Sequence, residues 1–302
     1  LKRDFLAITD FSREEILATL KLAAELKEKQ KRGEAHRCLA GKTMAMIFQK
    51  PSARTRVSFE VGMFQLGGHA LNLGPELGMG QRESVPDVGQ VMSRFVDLIM
   101  ARLFGHSDIE DLASSASVPV INGLTDLLHP CQVVADVQTV IEHLGERDDL
   151  KIVWIGDGNN VANSWINMAS RYPMHLCLAV PEGYEPDSSI LSKAQKAGLS
   201  DIEVVHDSAE AARDADVIYT DVWASMGQEE EAEARRKAFK DFQVNDRLMS
   251  LARQKCIFMH CLPAHRGDEV AASVIDGPQS VVFDEAENRL HAQKAIMVKL
   301  FE

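Results

Sequence analysis

The chain reads as an α/β protein built from two parallel-sheet halves, and three observations predict this. Its 302 residues suit two domains of about 150 residues better than one core. Short β-type runs alternate with helix-type stretches along its whole length. Several of those runs, such as Lys151–Ile155 and Ile257–Met259, are continuously apolar, as strands are when helices cover both faces of a sheet.

In order, Ser12-Arg13-Glu14-Glu15 forms a capping box, and Ile16, Leu20, Ala23 and Leu26 line one face of the helix behind it. Strands are expected at Thr43–Phe48, Asp97–Ala101, Val118–Ile121, Lys151–Ile155, His175–Val180, Glu203–Val205, Val217–Thr220, Ile257–Met259 and Val281–Phe283. Between the first two lies an amphipathic segment, Val57-Val61-Phe64, stopped by Gly67-Gly68. His129-Pro130-Cys131-Gln132 through Leu144 reads as a helix joining the halves, with Gly145-Glu146-Arg147-Asp148-Asp149 as the boundary. Residues able to do chemistry fall mainly after strands, where ligands of open parallel sheets bind, which fits one cleft between two sheets.

Composition narrows the function classes. Hydrophobic residues make up 45% and charged residues 26%, the profile of a globular protein. A net charge of −12 argues against nucleic-acid or acidic-membrane partners, so an anion site must be a local pocket of positive charge. Five scattered cysteines without a CxxC pair point to a reducing compartment and no disulfide framework. No apolar run approaches the roughly 20 residues that span a bilayer, and no secretory leader pattern is visible. A cytoplasmic location is the expectation.

The most informative segment is Ser52-Ala53-Arg54-Thr55-Arg56. Ser52 suits an N-cap, and the first-turn N–H groups behind it have no partner within the helix. The helix dipole and the forked donors of Arg54 and Arg56 reinforce one another, which makes an anion site, most naturally for phosphate. Arg102 follows the second strand and His129 opens the helix after the third, so three equivalent strand ends each offer a donor.

In the second half, Gly156-Asp157-Gly158-Asn159-Asn160-Val161 is a partial dinucleotide fingerprint lacking its third glycine, with Glu182 near the end of the next strand. Asp221-Val222-Trp223-Ala224-Ser225-Met226-Gly227 offers a carboxylate, a hydroxyl and a flexible glycine, which suits an ammonium-bearing ligand. His260-Cys261-Leu262-Pro263-Ala264-His265 follows another strand. Cys261 suits a nucleophile, a metal ligand or a polar contact, and the spacing lacks the paired ligands of a zinc site.

Together these blocks resemble the aspartate/ornithine carbamoyltransferase family, with the last two favouring its ornithine branch. The resemblance runs from near residue 5 to Glu285-Ala286-Glu287-Asn288-Arg289-Leu290-His291. It implies that Ser52, Ala53 (through its backbone), Arg54, Thr55 and Arg102 hold the phosphate of carbamoyl phosphate. His129 and Gln132 would contact the carbamoyl group, and Cys261, Leu262 and Arg289 would surround the reacting carbon. Asn163, Asp221, Ser225 and Met226 would hold L-ornithine. Arg102, His129 and Cys261 would be catalytic, with no metal and no cofactor. The implied organisation is a carbamoyl-phosphate-binding domain at 1–145 plus a C-terminal helix at 286–302, an ornithine-binding domain at 146–285, and a homotrimer or multiple of it.

Two positions depart from the family pattern. Ala53 replaces a threonine of the signature, and Gly78 stands where many relatives carry a glutamine reaching a neighbour's site, with Gln81 nearby. Alternatives are a carbamoyltransferase for putrescine, an acylated ornithine or aspartate, a non-catalytic carbamoyl-phosphate-binding paralogue, or an NAD enzyme.

Overall fold

The computed structural model describes residues 2–224 and 231–302. The chain divides into two compact units, 1–138 with 287–302, and 139–286.

In the first unit, helix α1 (Arg13–Lys31) starts at the expected capping box: Ser12 accepts from Glu15 N–H while the Glu15 carboxylate accepts from Ser12 N–H. Ile16, Leu20, Ala23 and Leu26 are its buried face. Strands β1 (Thr43–Phe48), β2 (His69–Leu73), β3 (Leu98–Arg102) and β4 (Val120–Leu124) form a parallel sheet in the order β2-β1-β3-β4. β1 and β3 are almost wholly buried, whereas β2 is a largely exposed edge. This edge strand was not among the expected ones: His-Ala-Leu-Asn-Leu has no β-branched residue to announce it. Helices α2 (Ala53–Gln65), α3 (Val85–Met92) and α4 (His106–Ser115) connect the strands. Val85, Val88, Ile109 and Leu112 pack with Ala45, Ile47, Ile99 and Val120 into one core cluster.

Helix α2 turns its Phe59 and Met63 inward and leaves Val57, Val61 and Phe64 exposed. The apolar stripe read from the sequence is therefore not the core face of this helix.

In the second unit, β5 (Lys151–Ile155), β6 (His175–Ala179), β7 (Asp201–Val205), β8 (Val217–Thr220) and β9 (Ile257–His260) form a second parallel sheet, ordered β7-β6-β5-β8-β9. The division between units falls inside α5 (Pro130–Leu144) and again inside the C-terminal helix. Helices α6 (Asn160–Ala169), α7 (Ser188–Ala197), α8 (Ser208–Ala212), α9 (Ala232–Phe239), α10 (Asp246–Leu251) and α11 (Ala272–Ile275) belong to the second unit.

The strand expected at Val281–Phe283 is absent. Ser280 makes a single parallel bridge to Phe258 and Val281 N–H donates to Phe258 C=O at 3.0 Å, after which α12 (Val282–Lys299) begins. Three apolar residues in a row mark a buried segment of either kind, and here helix length decides it.

Candidate active site

In the first sheet the strand order reverses between β1 and β3, which puts the loop after β1 and the end of β3 at the switch point. Gln49 N–H donates to Arg102 C=O (3.0 Å), and its side-chain carbonyl accepts from Phe104 N–H (2.8 Å), tying the two strand ends together. A register shift between Ala101 and Arg102 on the β4 side accompanies the exit of Arg102. Ser52 caps α2, its Oγ accepting from Thr55 N–H at 3.3 Å, and Ala53 is the first residue of the helix.

Thr55 is the hub of this half. Its buried hydroxyl lies 3.1 Å from Ser52 Oγ and accepts from Arg102 Nη1 at 3.2 Å and from Arg289 Nη2 at 3.5 Å. His129, just before α5, is buried. Burial first, then the charges of Arg289, Arg102 and Arg54, hold its imidazole well below its ordinary pKa. It is thus a neutral hydrogen-bonding group at physiological pH, and the three guanidinium groups supply the positive charge. Gln132 sits in the first turn of α5: its Oε1 accepts from Arg289 Nη1 at 2.6 Å and its Nε2 donates to Asp136 at 2.8 Å. The structure therefore brings Ser52, Thr55, Arg102, Gln132 and Arg289 into one hydrogen-bonded group, with Arg54 and His129 within its electrostatic reach.

In the second sheet the order reverses between β5 and β8. Asn159 caps α6, accepting from Val161 N–H (2.9 Å) and Ala162 N–H (3.2 Å), and its Nδ2 donates to Asp221 at 2.9 Å. The Cys261 thiol, after β9, donates to the other Asp221 oxygen at 3.1 Å. Three segments far apart in sequence thus meet at one buried carboxylate. Asn163, one turn beyond Asn159, is buried and accepts from Asp187 N–H at 3.0 Å. Leu262 has a left-handed backbone (φ +57°), and its N–H donates to His260 Nδ1 at 2.9 Å. Ser225 and Met226 lie outside the described residues. Beyond them, Arg235 on α9 donates to Asp157 (2.8 Å) and to Trp223 C=O (2.9 Å), a buried tether that the sequence did not reveal.

Among the described residues, Asp221, His260 and Cys261 present ligand-type atoms within 4.8 Å of one another, a grouping hidden in the chain spacing. Both His260 ring nitrogens already have partners, Leu262 N–H and the Glu269 carboxylate (3.2 Å). A carboxylate and a thiol remain, short of a tetrahedral set.

The partial dinucleotide fingerprint has a structural explanation. A Cβ on Gly158 would stand 2.3 Å from Pro186 N and 2.4 Å from Glu185 C, so this glycine admits the 184–186 main chain where a pyrophosphate would need room. Gly78 is left-handed (φ +67°), and a Cβ there would meet Arg82 Cβ at 2.8 Å. Its carbonyl accepts from Gln81, Arg82 and Glu83 N–H, which makes it the pivot of a tight turn.

Comparison with known proteins agrees with this geometry. The family profile described as aspartate/ornithine carbamoyltransferase, carbamoyl-P binding domain, matches residues 3–142, and that of the Asp/Orn binding domain matches residues 148–300. The chain is 56% identical over 299 residues to the ornithine carbamoyltransferase of Thermococcus kodakarensis, covering 98% of this chain and 95% of the relative. It is also 56% identical over 298 residues to the chloroplastic ornithine carbamoyltransferase of Pisum sativum, covering 98% and 80%. The solved ornithine carbamoyltransferase of Pyrococcus furiosus superposes with a TM-score of 0.94 at 54% identity, covering 98% of this chain and 96% of that one. The chain therefore belongs to the aspartate/ornithine carbamoyltransferase family.

Proposed function

We propose that this protein is an ornithine carbamoyltransferase, transferring the carbamoyl group of carbamoyl phosphate to the δ-amine of L-ornithine to give L-citrulline and phosphate. The observation that carries this reading is the convergence of Arg54, Arg102 and Arg289 on the capped start of α2 at a sheet switch point. Three cations beside first-turn N–H groups suit a phosphoryl group with two negative charges. The names of the relatives supply the acceptor, ornithine.

Ser52, the Ala53 N–H, Arg54, Thr55 and Arg102 bind the phosphate in this reading. Arg102 and Arg289 both donate to the Thr55 hydroxyl, which holds the two guanidinium groups beside the start of α2. Arg102, Thr55 and His129 polarise the carbamoyl oxygen, and a neutral His129 does so without drawing the phosphate away. One donor of this kind is typically worth ~2.7–4 kcal/mol. Gln132 and Leu262 frame the carbamoyl group, and Arg289 serves both that group and the phosphate. On the other substrate, Asp221 holds the α-ammonium, with Asn163, Ser225 and Met226 around the rest, and Cys261 stands by the δ-nitrogen.

The δ-amine, with a Lys-like pKa near ~10.4, must lose a proton at a cost of about 4–5 kcal/mol at neutral pH. The cationic pocket and Cys261 disfavour its ammonium form. The ammonium first gives one proton to solvent; the N–C bond then forms, the tetrahedral species collapses, and the C–O bond to phosphate breaks with its electron pair, the second proton of the attacking nitrogen leaving on phosphate. Holding the two substrates in line can remove roughly 7–11 kcal/mol of barrier. The acyl phosphate supplies the activation.

We also propose a homotrimeric assembly and cytoplasmic action in arginine metabolism. A groove of about 850 Å³ runs along α2 and β2, lined by Val57, Val61, Phe64, Ala70 and Pro75. Val57 is 56% and Phe64 77% exposed, an apolar face that a second copy would cover. The described cysteines are all free, which suits a reducing compartment. Among the described residues no helix is long and apolar enough to cross a membrane.

The test is product stoichiometry. Incubated with carbamoyl phosphate and ornithine, the protein should release citrulline and phosphate one to one. Phosphate release without citrulline would overturn the reading.

A further inference from the structure

Residues 289 and 293 lie one turn apart on α12, and both are buried. Gln293 is fully buried, and its neighbours fix its amide orientation. Its Oε1 accepts from Arg289 Nε at 3.1 Å and Nη2 at 2.9 Å, while its Nε2 donates to Ser58 Oγ at 2.7 Å. The reverse orientation would set the amide N–H₂ against the guanidinium. Ser58 Oγ in turn donates to Arg54 C=O at 2.7 Å, in the first turn of α2.

Arg289 is thereby gripped on two edges. Gln293 takes the Nε/Nη2 edge, and Gln132 takes Nη1 at 2.6 Å. The guanidinium plane is set, and through Ser58 it is keyed to the turn of α2 that carries Arg54. We propose that Gln293 is a positioning residue of the anion site: it orients Arg289 toward the phosphate and ties it to α2 through Ser58, with a neutral amide that leaves the guanidinium charge for the ligand. A glutamate would offer the same acceptor geometry and a negative charge, which would compete directly with the phosphate. The inference rests on the carbamoyl-phosphate reading above.

The test compares Gln293→Glu, Gln293→Met and Arg54→Ala with the wild-type chain. Readouts are KM for carbamoyl phosphate, KM for ornithine, inorganic phosphate affinity by calorimetry, and Tm. Gln293→Glu should raise the carbamoyl-phosphate KM and weaken inorganic phosphate about tenfold or more, with ornithine KM and Tm near wild type. Gln293→Met, which loses the acceptor without adding charge, should raise the carbamoyl-phosphate KM about threefold or more. Wild-type anion affinity in Gln293→Glu overturns the proposal, as does an equal rise of both KM values with a lowered Tm. Should Gln293→Glu not fold, a wild-type carbamoyl-phosphate KM in Gln293→Met overturns it. A wild-type chain that binds neither anion, or an Arg54→Ala variant that binds both normally, removes the anion-site reading itself.

Discussion

At the residue scale, the two proposed substrate sites rest on side chains whose chemistry is set by their nearest partners. Asp221 accepts from Asn159 and Cys261, and both hold its carboxylate in place, as the proposed ammonium contact requires. Asp221→Asn should raise the ornithine KM about tenfold or more, with the carbamoyl-phosphate KM little changed; an unchanged ornithine KM would refute the ammonium role. Cys261→Ser keeps a donor toward Asp221 and should lower kcat while leaving measurable turnover. Complete loss, together with a trapped carbamoyl thioester in the wild type, would favour covalent catalysis. Much of the anion half was legible because its signal is local: Ser52 caps three residues ahead, and Arg54 follows at once. The pairing of Arg289 with Gln132 spans 157 positions and that of Cys261 with Asp221 spans 40, so only the fold reveals them.

At the scale of elements, strands buried on both faces were plain in the sequence, and exposed or transitional ones were not. β1, β5 and β8 coincide with their apolar runs because both sheet faces select Val, Ile and their like. β2 escapes because an exposed edge needs no such residues. The Val281–Phe283 run misleads because the same three residues leave a bridge beside β9 and enter α12. The Gly158 turn yields a sharp prediction. Gly158→Ala would drive a methyl into main chain 184–186 and should cost about 3 kcal/mol or more. Urea unfolding of the variant checks this, and a wild-type midpoint would show that the loop after β6 can yield.

For the whole molecule, acid stability and the proposed assembly draw on features that no single motif encodes. His291 on α12 is pushed down to about 3 by burial first, then by Lys294, Lys27, Lys31 and His36, with the Glu287 carboxylate 3.6 Å away. Between about pH 3 and 6.5 the unfolded chain takes a proton that the folded His291 refuses, so stability should fall as pH drops below about 6.5. His291→Gln should flatten that slope in unfolding midpoints measured at pH 5 and 7; an unchanged slope would assign it to other groups. Phe64→Glu places a charge on the exposed face of α2 and should shift light-scattering mass from the three chains of the proposed assembly toward one; a mass unchanged by the substitution would take this face out of the interface.

The choice of acceptor is open to one direct experiment: kcat/KM with carbamoyl phosphate against ornithine, putrescine, N-acetylornithine and aspartate, read from the ureido product. Ornithine should exceed each of the others by about a hundredfold or more: putrescine and N-acetylornithine bring no free α-ammonium to Asp221, and aspartate, whose only amine is the α-amine, has no second amine to attack. Equal or better turnover with any of the other three amines would contradict it.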